Sequence, residues 1–220
     1  MGSVKIFAGG FGSGKTEVAL NFAVETASKV SNVVMADLDL VNPYFVSRDV
    51  AKRLKELGIN LLAPEGSLSF GDVPHIPAHI INSINVDNHL IIDLAGDEVG
   101  SLVLGYLSRH LISRTELKFF FVINPYRPFA QHIDDLMEIK MLLERAARLN
   151  FTGIISNPNL VEETDLDVIR HGHNIVLDFA KKLDLPVNYL TVRNDFYPLL
   201  FEEYGAVLKA LTLYMRPEWI

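Results

Sequence analysis

Apolar residues fall along this chain in two alternating textures. Short, almost uninterrupted apolar runs occupy residues 4–8, 32–36, 60–63, 90–93, 118–123, 151–156 and 187–191. Between them lie longer stretches in which apolar positions return every three or four residues: 15–29, 47–57, 100–113, 129–149, 165–183 and 197–215. The first texture suits strands covered on both faces, and the second suits helices laid on a sheet. In the fourth helical stretch, Leu136, Ile139, Leu143 and Ala146 share one face. Residues 66–80, with Pro74 and Pro77, read as a loop. The alternation predicts an α/β fold: a doubly wound, mainly parallel sheet flanked by helices on both faces, in one domain spanning residues 1–220. In such sheets ligands bind beyond the carboxyl ends of the strands, so the residues just after each strand carry most of the functional information.

Composition narrows the classes. A chain of 220 residues suffices for one full α/β domain. The formal charge of −7 argues against broad, sequence-independent nucleic-acid binding, which depends on Lys and Arg neutralising phosphates. There is no cysteine, which removes disulfides and thiolate metal sites. No apolar run approaches the roughly 18 residues of a membrane span, and no leader-like segment opens the chain. A cytoplasmic protein with no membrane association is expected.

The residues after the first strand are Gly9-Gly10-Phe11-Gly12-Ser13-Gly14-Lys15-Thr16, which satisfy GxxxxGK[ST] between a strand and an amphipathic helix. The glycines let successive backbone N–H groups turn inward around anionic oxygens, and the following helix presents its positive end to them. Lys15 is placed to reach the β- and γ-phosphates, and the Thr16 hydroxyl to ligate Mg²⁺. The motif makes Gly10, Phe11, Gly12, Ser13, Gly14, Lys15 and Thr16, with Glu17 following, the expected nucleotide-binding run of a P-loop NTPase.

Two later strands end in acids. One runs into Asp37-Leu38-Asp39, with Asn42-Pro43 downstream, and another into Asp93-Leu94-Ala95-Gly96. Asp93 closes an apolar run, as the Mg²⁺-side acid of a P-loop NTPase does. Gly96 can offer a backbone N–H to a γ-phosphate. Asp37 and Asp39 share one side of an extended segment and can face the metal or the attacking water. The metal set expected is therefore Thr16, Asp37, Asp39 and Asp93, with Lys15, Asp39 and Asp93 as the catalytic candidates.

With these motifs in this order, the whole chain resembles the MinD/ParA/CobQ type of P-loop NTPase, of the SIMIBI class, with its three-layer sandwich. The resemblance implies that the segment after Asp37 is switch I and the segment from Asp93 is switch II. It also implies that Asp39 orients the hydrolytic water and that Asp37 is a neighbouring metal-shell or switch acid. The Min and Par ATPases carry a signature lysine where this chain has Gly10. The string Gly-Ser-Gly-Lys-Thr with Ala95-Gly96-Asp97-Glu98 also resembles the urease- and hydrogenase-accessory GTPases, which usually bring Cys or His ligands. Here the tight histidine pair is His171 and His173, read as solvated.

Guanine selectivity in P-loop GTPases comes from an NKxD string after a late strand. The matching place reads Asn157-Pro158-Asn159-Leu160, with no acid where the aspartate would stand. ATP is therefore the expected nucleotide, with Asn157 offering its amide to adenine and the region of Arg193 and Asn194 flanking the base. Arg127 follows another strand and is placed to meet phosphate charge, a partner or loop carbonyls. Residues 206–220 are expected to form a closing helix on the core, lacking the basic face of a Min-type membrane tail. The function expected is an Mg²⁺-dependent, slow ATPase acting as a nucleotide switch for a protein partner or homodimer. The alternatives are an accessory GTPase, an ATP-dependent synthetase of the cobyrinate or dethiobiotin type, and a non-hydrolysing nucleotide sensor.

Overall fold

The computed structural model describes residues 2–38, 48–62, 78–96, 98–114 and 116–215. The strands are β1 (Val4–Ala8), β2 (Val33–Leu38), β3 (Ile59–Leu62), β4 (His89–Leu94), β5 (Leu117–Ile123), β6 (Gly153–Ser156), β7 (Val187–Arg193) and β8 (Leu208–Leu211). The helices are α1 (Lys15–Ala27), α2 (Arg48–Glu56), α3 (Ala78–Asn85), α4 (Glu98–Leu111), α5 (Ile133–Ala147), α6 (Leu166–Leu183) and α7 (Tyr197–Tyr204). The strands form one sheet in the order β3-β2-β4-β1-β5-β6-β7-β8. Every described pairing is parallel.

The unbroken apolar runs are explained by burial on both faces. Along β1, Val4, Ile6 and Ala8 enter one core while Phe7 enters the other. Along β5, Phe119, Phe121 and Ile123 alternate in the same way with Phe120 and Val122. The first core is closed by α3, α4, α5 and α6, through residues such as Ile84, Leu104, Leu143 and Val176. The second is closed by α1 and α2 through Val18, Leu20, Phe22 and Leu54. On α5 the buried stripe runs Leu136, Leu143 and Ala147, with Ile139 partly buried, so it ends one residue past the expected Ala146.

Two elements differ from the sequence expectation. The stretch read as a loop over 66–80 gives way to a helix from Ala78, while residues 63–77 lie outside the described set. The C-terminal stretch is not one long helix. Helix α7 stops at Tyr204, where Gly205 takes a positive φ of 54°, and the chain then adds a parallel edge strand, β8. The reason lies in where two leucines go. Leu208 packs with Ile169, Leu190, Val192 and Leu200, whereas Leu211 joins the α1-side core. Residues three apart share a face on a helix but take opposite faces on a strand, so only a strand seals both clusters.

Candidate nucleotide-binding site

β1 lies between β4 and β5, and the chain winds one way from it to β2 and the other way to β5. The crevice at that reversal is where an open α/β sheet binds ligands. The loop leaving β1 sits there. Its geometry follows from what surrounds each glycine. Gly14 has a φ of +85° and is the N-cap of α1, with no side-chain cap. A Cβ on it would overlap the Nδ2 of Asn157. On the other side, a Cβ on Gly96 would overlap the Gly9 carbonyl, so the segment after β4 presses directly on the loop. Helix α6 has its first turn capped by the Asp165 carboxylate, which accepts from Val168 N at 2.8 Å. α1 has no such side-chain cap at its N-terminus, the end at which an α-helix can receive an anion.

Lys15 and Thr16 are both buried at the start of α1. Asp37 and Asp93, each only 1 % exposed, are register partners on the adjacent strands β2 and β4. Asp93 is also opposite Phe7 on β1, a residue of the α1-side core. Both acids therefore stand on the sheet face that α1 covers, the face on which Thr16 opens its helix. Fifty-odd residues of sequence separation thus become one strand spacing, about 4.8 Å. A hydroxyl and two buried carboxylates make an all-oxygen donor set. It suits Mg²⁺, which takes one or two carboxylates and completes its shell with phosphate oxygens and water. Asp39 lies outside the described residues, as do Asn42 and Pro43.

Asn157, expected to meet adenine, makes two buried hydrogen bonds. Its Nδ2 donates to the Ser13 carbonyl at 2.8 Å, and its Oδ1 accepts from the Thr191 hydroxyl at 2.9 Å. The amide is thus a strut from the end of β6 to the loop, held by β7. Asn124, after β5, belongs to the same framework: its Nδ2 donates to Asn159 O at 2.8 Å and its Oδ1 accepts from Tyr126 N at 3.2 Å. The Ser13 hydroxyl is buried without a hydrogen-bond partner among the described residues. Phe11, by contrast, is 71 % exposed at the loop's crown.

Beside the loop opens a cavity of about 330 Å³. Gly12, Gly14 and Asn157 border it on the phosphate side, and Val192, Phe196, Leu213 and Met215 give it apolar walls. Arg193 also borders it but is held by Asp195 through two bonds, of 2.6 and 2.7 Å, and stacks on Phe196. The wall from 212 to 215 is gripped by α1. Glu17 accepts from Tyr214 N at 2.6 Å and Met215 N at 3.0 Å. Asn21 both donates to Thr212 O and accepts from Thr212 N. Burial pushes the Glu17 carboxyl up against the opposing pull of those two N–H groups. Glu17 therefore reaches the cavity as the clasp of its wall. Sequence reasoning missed Thr191, Leu213 and Met215 because nothing local marks them; each acts through a contact with a distant element.

The histidine pair also separates. His171 is exposed, but His173 is buried, with Nδ1 3.0 Å from the Ser156 hydroxyl and its ring edge-on to Tyr204. Among the described residues no three His, Asp or Glu side chains come together as a metal cluster.

The architecture has solved counterparts. The chain superposes on the cell division protein FtsY from Thermotoga maritima with a TM-score of 0.58, at 18 % identity, over 87 % of this chain and 62 % of that one. The chain has the fold of the SIMIBI-class P-loop NTPases. Within that fold it spans about three-fifths of the length of the FtsY structures it matches. It matches a putative plasmid partition protein from Borrelia burgdorferi, bound to AMPPNP, with a TM-score of 0.53 at 13 % identity, covering 89 % of this chain and 90 % of that one. It matches a nucleotide-binding protein from Archaeoglobus fulgidus, in complex with ADP, with a TM-score of 0.51 at 17 % identity, covering 99 % and 89 %. No family model matches the sequence. No curated protein matches it. Among the described residues of this P-loop NTPase fold, no helix is long and apolar enough to cross a membrane.

Proposed function

We propose that this chain is an Mg²⁺-dependent, slow ATPase that works as a nucleotide switch for a protein partner or a second copy of itself. The observation that carries the reading is the convergence at one sheet edge of an uncapped helix start, Lys15, Thr16 and the register pair Asp37–Asp93. The loop N–H groups and the Lys15 ammonium would hold the β- and γ-phosphates. Thr16, Asp37 and Asp93 would hold Mg²⁺, which would neutralise charge developing on the phosphate oxygens. Asp39 would orient the attacking water, and the Gly96 N–H would meet the γ-phosphate. The cavity beside the loop would take the base.

Adenine is favoured because the string Asn157-Pro158-Asn159-Leu160 has a leucine in the position where a guanine-reading string has its acid, and because two fold relatives carry AMPPNP and ADP. A GTP-using version has its own support: Glu162 borders the cavity, and an FtsY structure from Elizabethkingia anophelis is a GDP complex. Calorimetric titration with ATP and GTP, with and without Mg²⁺, separates the two. ATP should bind more tightly, and Lys15→Ala should abolish or greatly weaken triphosphate binding without unfolding the protein. GTP displacing ATP at equal concentration would install the second version, and undiminished affinity in Lys15→Ala would remove the proposal.

A further inference from the structure

Arg127 occupies a position that the fold has fixed with some care. It sits between Pro125 and Pro128, in an extended conformation (φ −92°, ψ 147°), as the residue capping a single 3₁₀ turn from Pro128 to Ala130. Its N–H donates to Asn124 O at 3.1 Å and its carbonyl accepts from Ala130 N at 2.9 Å. The Asn124 side chain in turn anchors the start of the same turn through Tyr126 N. From this base the side chain crosses the phosphate loop. Its Nε donates to the Gly12 carbonyl at 3.1 Å. Its Cδ and Nε would lie in contact, at 3.4 Å, with a Cβ on Gly12, whose φ of +72° already favours glycine there. The side chain borders both the 330 Å³ cavity and the small cleft beside Gly10 and Phe11.

Its charge is the second observation. Of the arginines near this edge whose partners are described, Arg193 is bound to Asp195 and Arg170 to Glu203. Arg127 has no carboxylate within ion-pair distance among the described residues. Its one described side-chain bond uses Nε alone, which leaves the two terminal nitrogens, four N–H donors in a planar fork, for an anion. The bond at Nε leaves the end-on pair of terminal nitrogens for a bidentate contact and holds the guanidinium against the loop.

We infer that Arg127 is a catalytic residue of the hydrolysis proposed above: a built-in cation that grips the non-bridging oxygens of the triphosphate from the outer side of the loop. The inference rests on the nucleotide-binding reading. In the step it serves, water oxygen bonds to the γ-phosphorus as the bond from that phosphorus to the β–γ bridging oxygen breaks. The electron pair stays with the diphosphate, and the water's protons pass to inorganic phosphate and solvent. Charge grows on the β–γ bridging oxygen and is shared with the non-bridging oxygens of the β-phosphate, where a fixed guanidinium stabilises the transition state more than the ground state. Gα proteins, which carry such an arginine within the chain, turn over at about 10⁻² per second, a rate at which a built-in arginine is compatible with slow hydrolysis in an isolated protein.

The test uses the full chain and three variants: Arg127→Ala, Arg127→Lys and Arg127→Gln. Gln keeps an N–H able to reach the Gly12 carbonyl and removes only the charge, so it remains informative if the alanine variant folds poorly. Phosphate release under saturating ATP and Mg²⁺ should fall by about 100-fold or more in the Ala and Gln variants, the scale of losing one transition-state donor. ADP affinity should change little. Lys should restore part of the rate, and millimolar guanidinium should restore part of it to the Ala variant, which a merely structural residue would not show. Wild-type turnover that survives in Arg127→Gln would overturn the inference. So would ATP and ADP affinities that fall together at constant turnover. A wild-type protein that binds ATP but releases no phosphate would overturn it while sparing the binding site, and failure to bind ATP at all would take the parent reading down first.

Discussion

Replacing Asn157 with alanine tests how much of the phosphate loop's shape is held from outside the loop. The substitution removes two buried bonds, one donated to Ser13 O and one accepted from Thr191. A neutral hydrogen bond contributes a net of about 0.5–1.5 kcal/mol, so the pair is worth about 1–3 kcal/mol. The losses are unequal. The Thr191 hydroxyl keeps an alternative acceptor, Ser156 O at 3.1 Å, whereas the Ser13 carbonyl loses its strut. About 2 kcal/mol is therefore the expected cost, and at about 2–4 °C per kcal/mol for a domain of this size the melting temperature should drop by about 4–8 °C. If the bound loop draws on the Ser13 bond for about 1 kcal/mol, nucleotide affinity should also fall about fivefold. Differential scanning calorimetry and a nucleotide titration read both numbers from one preparation. Asn157→Asp sharpens the result, because it keeps the acceptor for Thr191 but turns a carboxylate oxygen toward the Ser13 carbonyl. It should damage binding more than alanine does. A melting temperature within about 1 °C of wild type, with unchanged affinity in both variants, would show that the loop holds itself.

Gly96→Ala places a methyl against the Gly9 carbonyl, and the overpacking should cost about 1–3 kcal/mol and weaken nucleotide binding, read by thermal melting with and without ATP. Burial depresses the His173 pKa below its usual 6.5, with Glu203 opposing from nearby, so the unfolded chain takes up the proton first as pH falls. Its contribution to stability is then complete above about pH 6.5 and declines on acidification. Urea midpoints at pH 7.5 and 5.5 should differ less in His173→Gln than in wild type, and an identical difference would reject the assignment.

The central half of the molecule was open to reading from sequence because its signals are local. The run at Val4–Ala8, the glycine spacing after it and the acids ending β2 and β4 each follow from a few consecutive residues. What stayed hidden depends on distant partners. Glu17 looks like one more residue of the binding run, and only the backbone 197 positions away makes it a clasp. Asn157 follows a late strand in sequence, and only its bonds to Ser13 and Thr191 show that it also props the loop. The pair Leu208 and Leu211 fits helical spacing as well as it fits a strand crossing between two cores, and periodicity cannot choose between them. His173 sits two residues from His171 on one helix, and burial alone distinguishes them.

The short strand β8 has a consequence for how the loop can loosen. It is an outer strand of the sheet; next inward is β7, which carries Thr191, and then β6, whose end leads into Asn157. Amide protons at a sheet margin exchange through small local openings, and each inner strand is reached only after the one outside it has parted. An opening that peels β8 and β7 takes away the Thr191 hydroxyl that steadies Asn157 Oδ1, while the Asn157–Ser13 bond and the pairing of β1, β4 and β2 stay. The support behind the phosphate loop can therefore be loosened from the sheet's far margin without unfolding the strand that bears the loop.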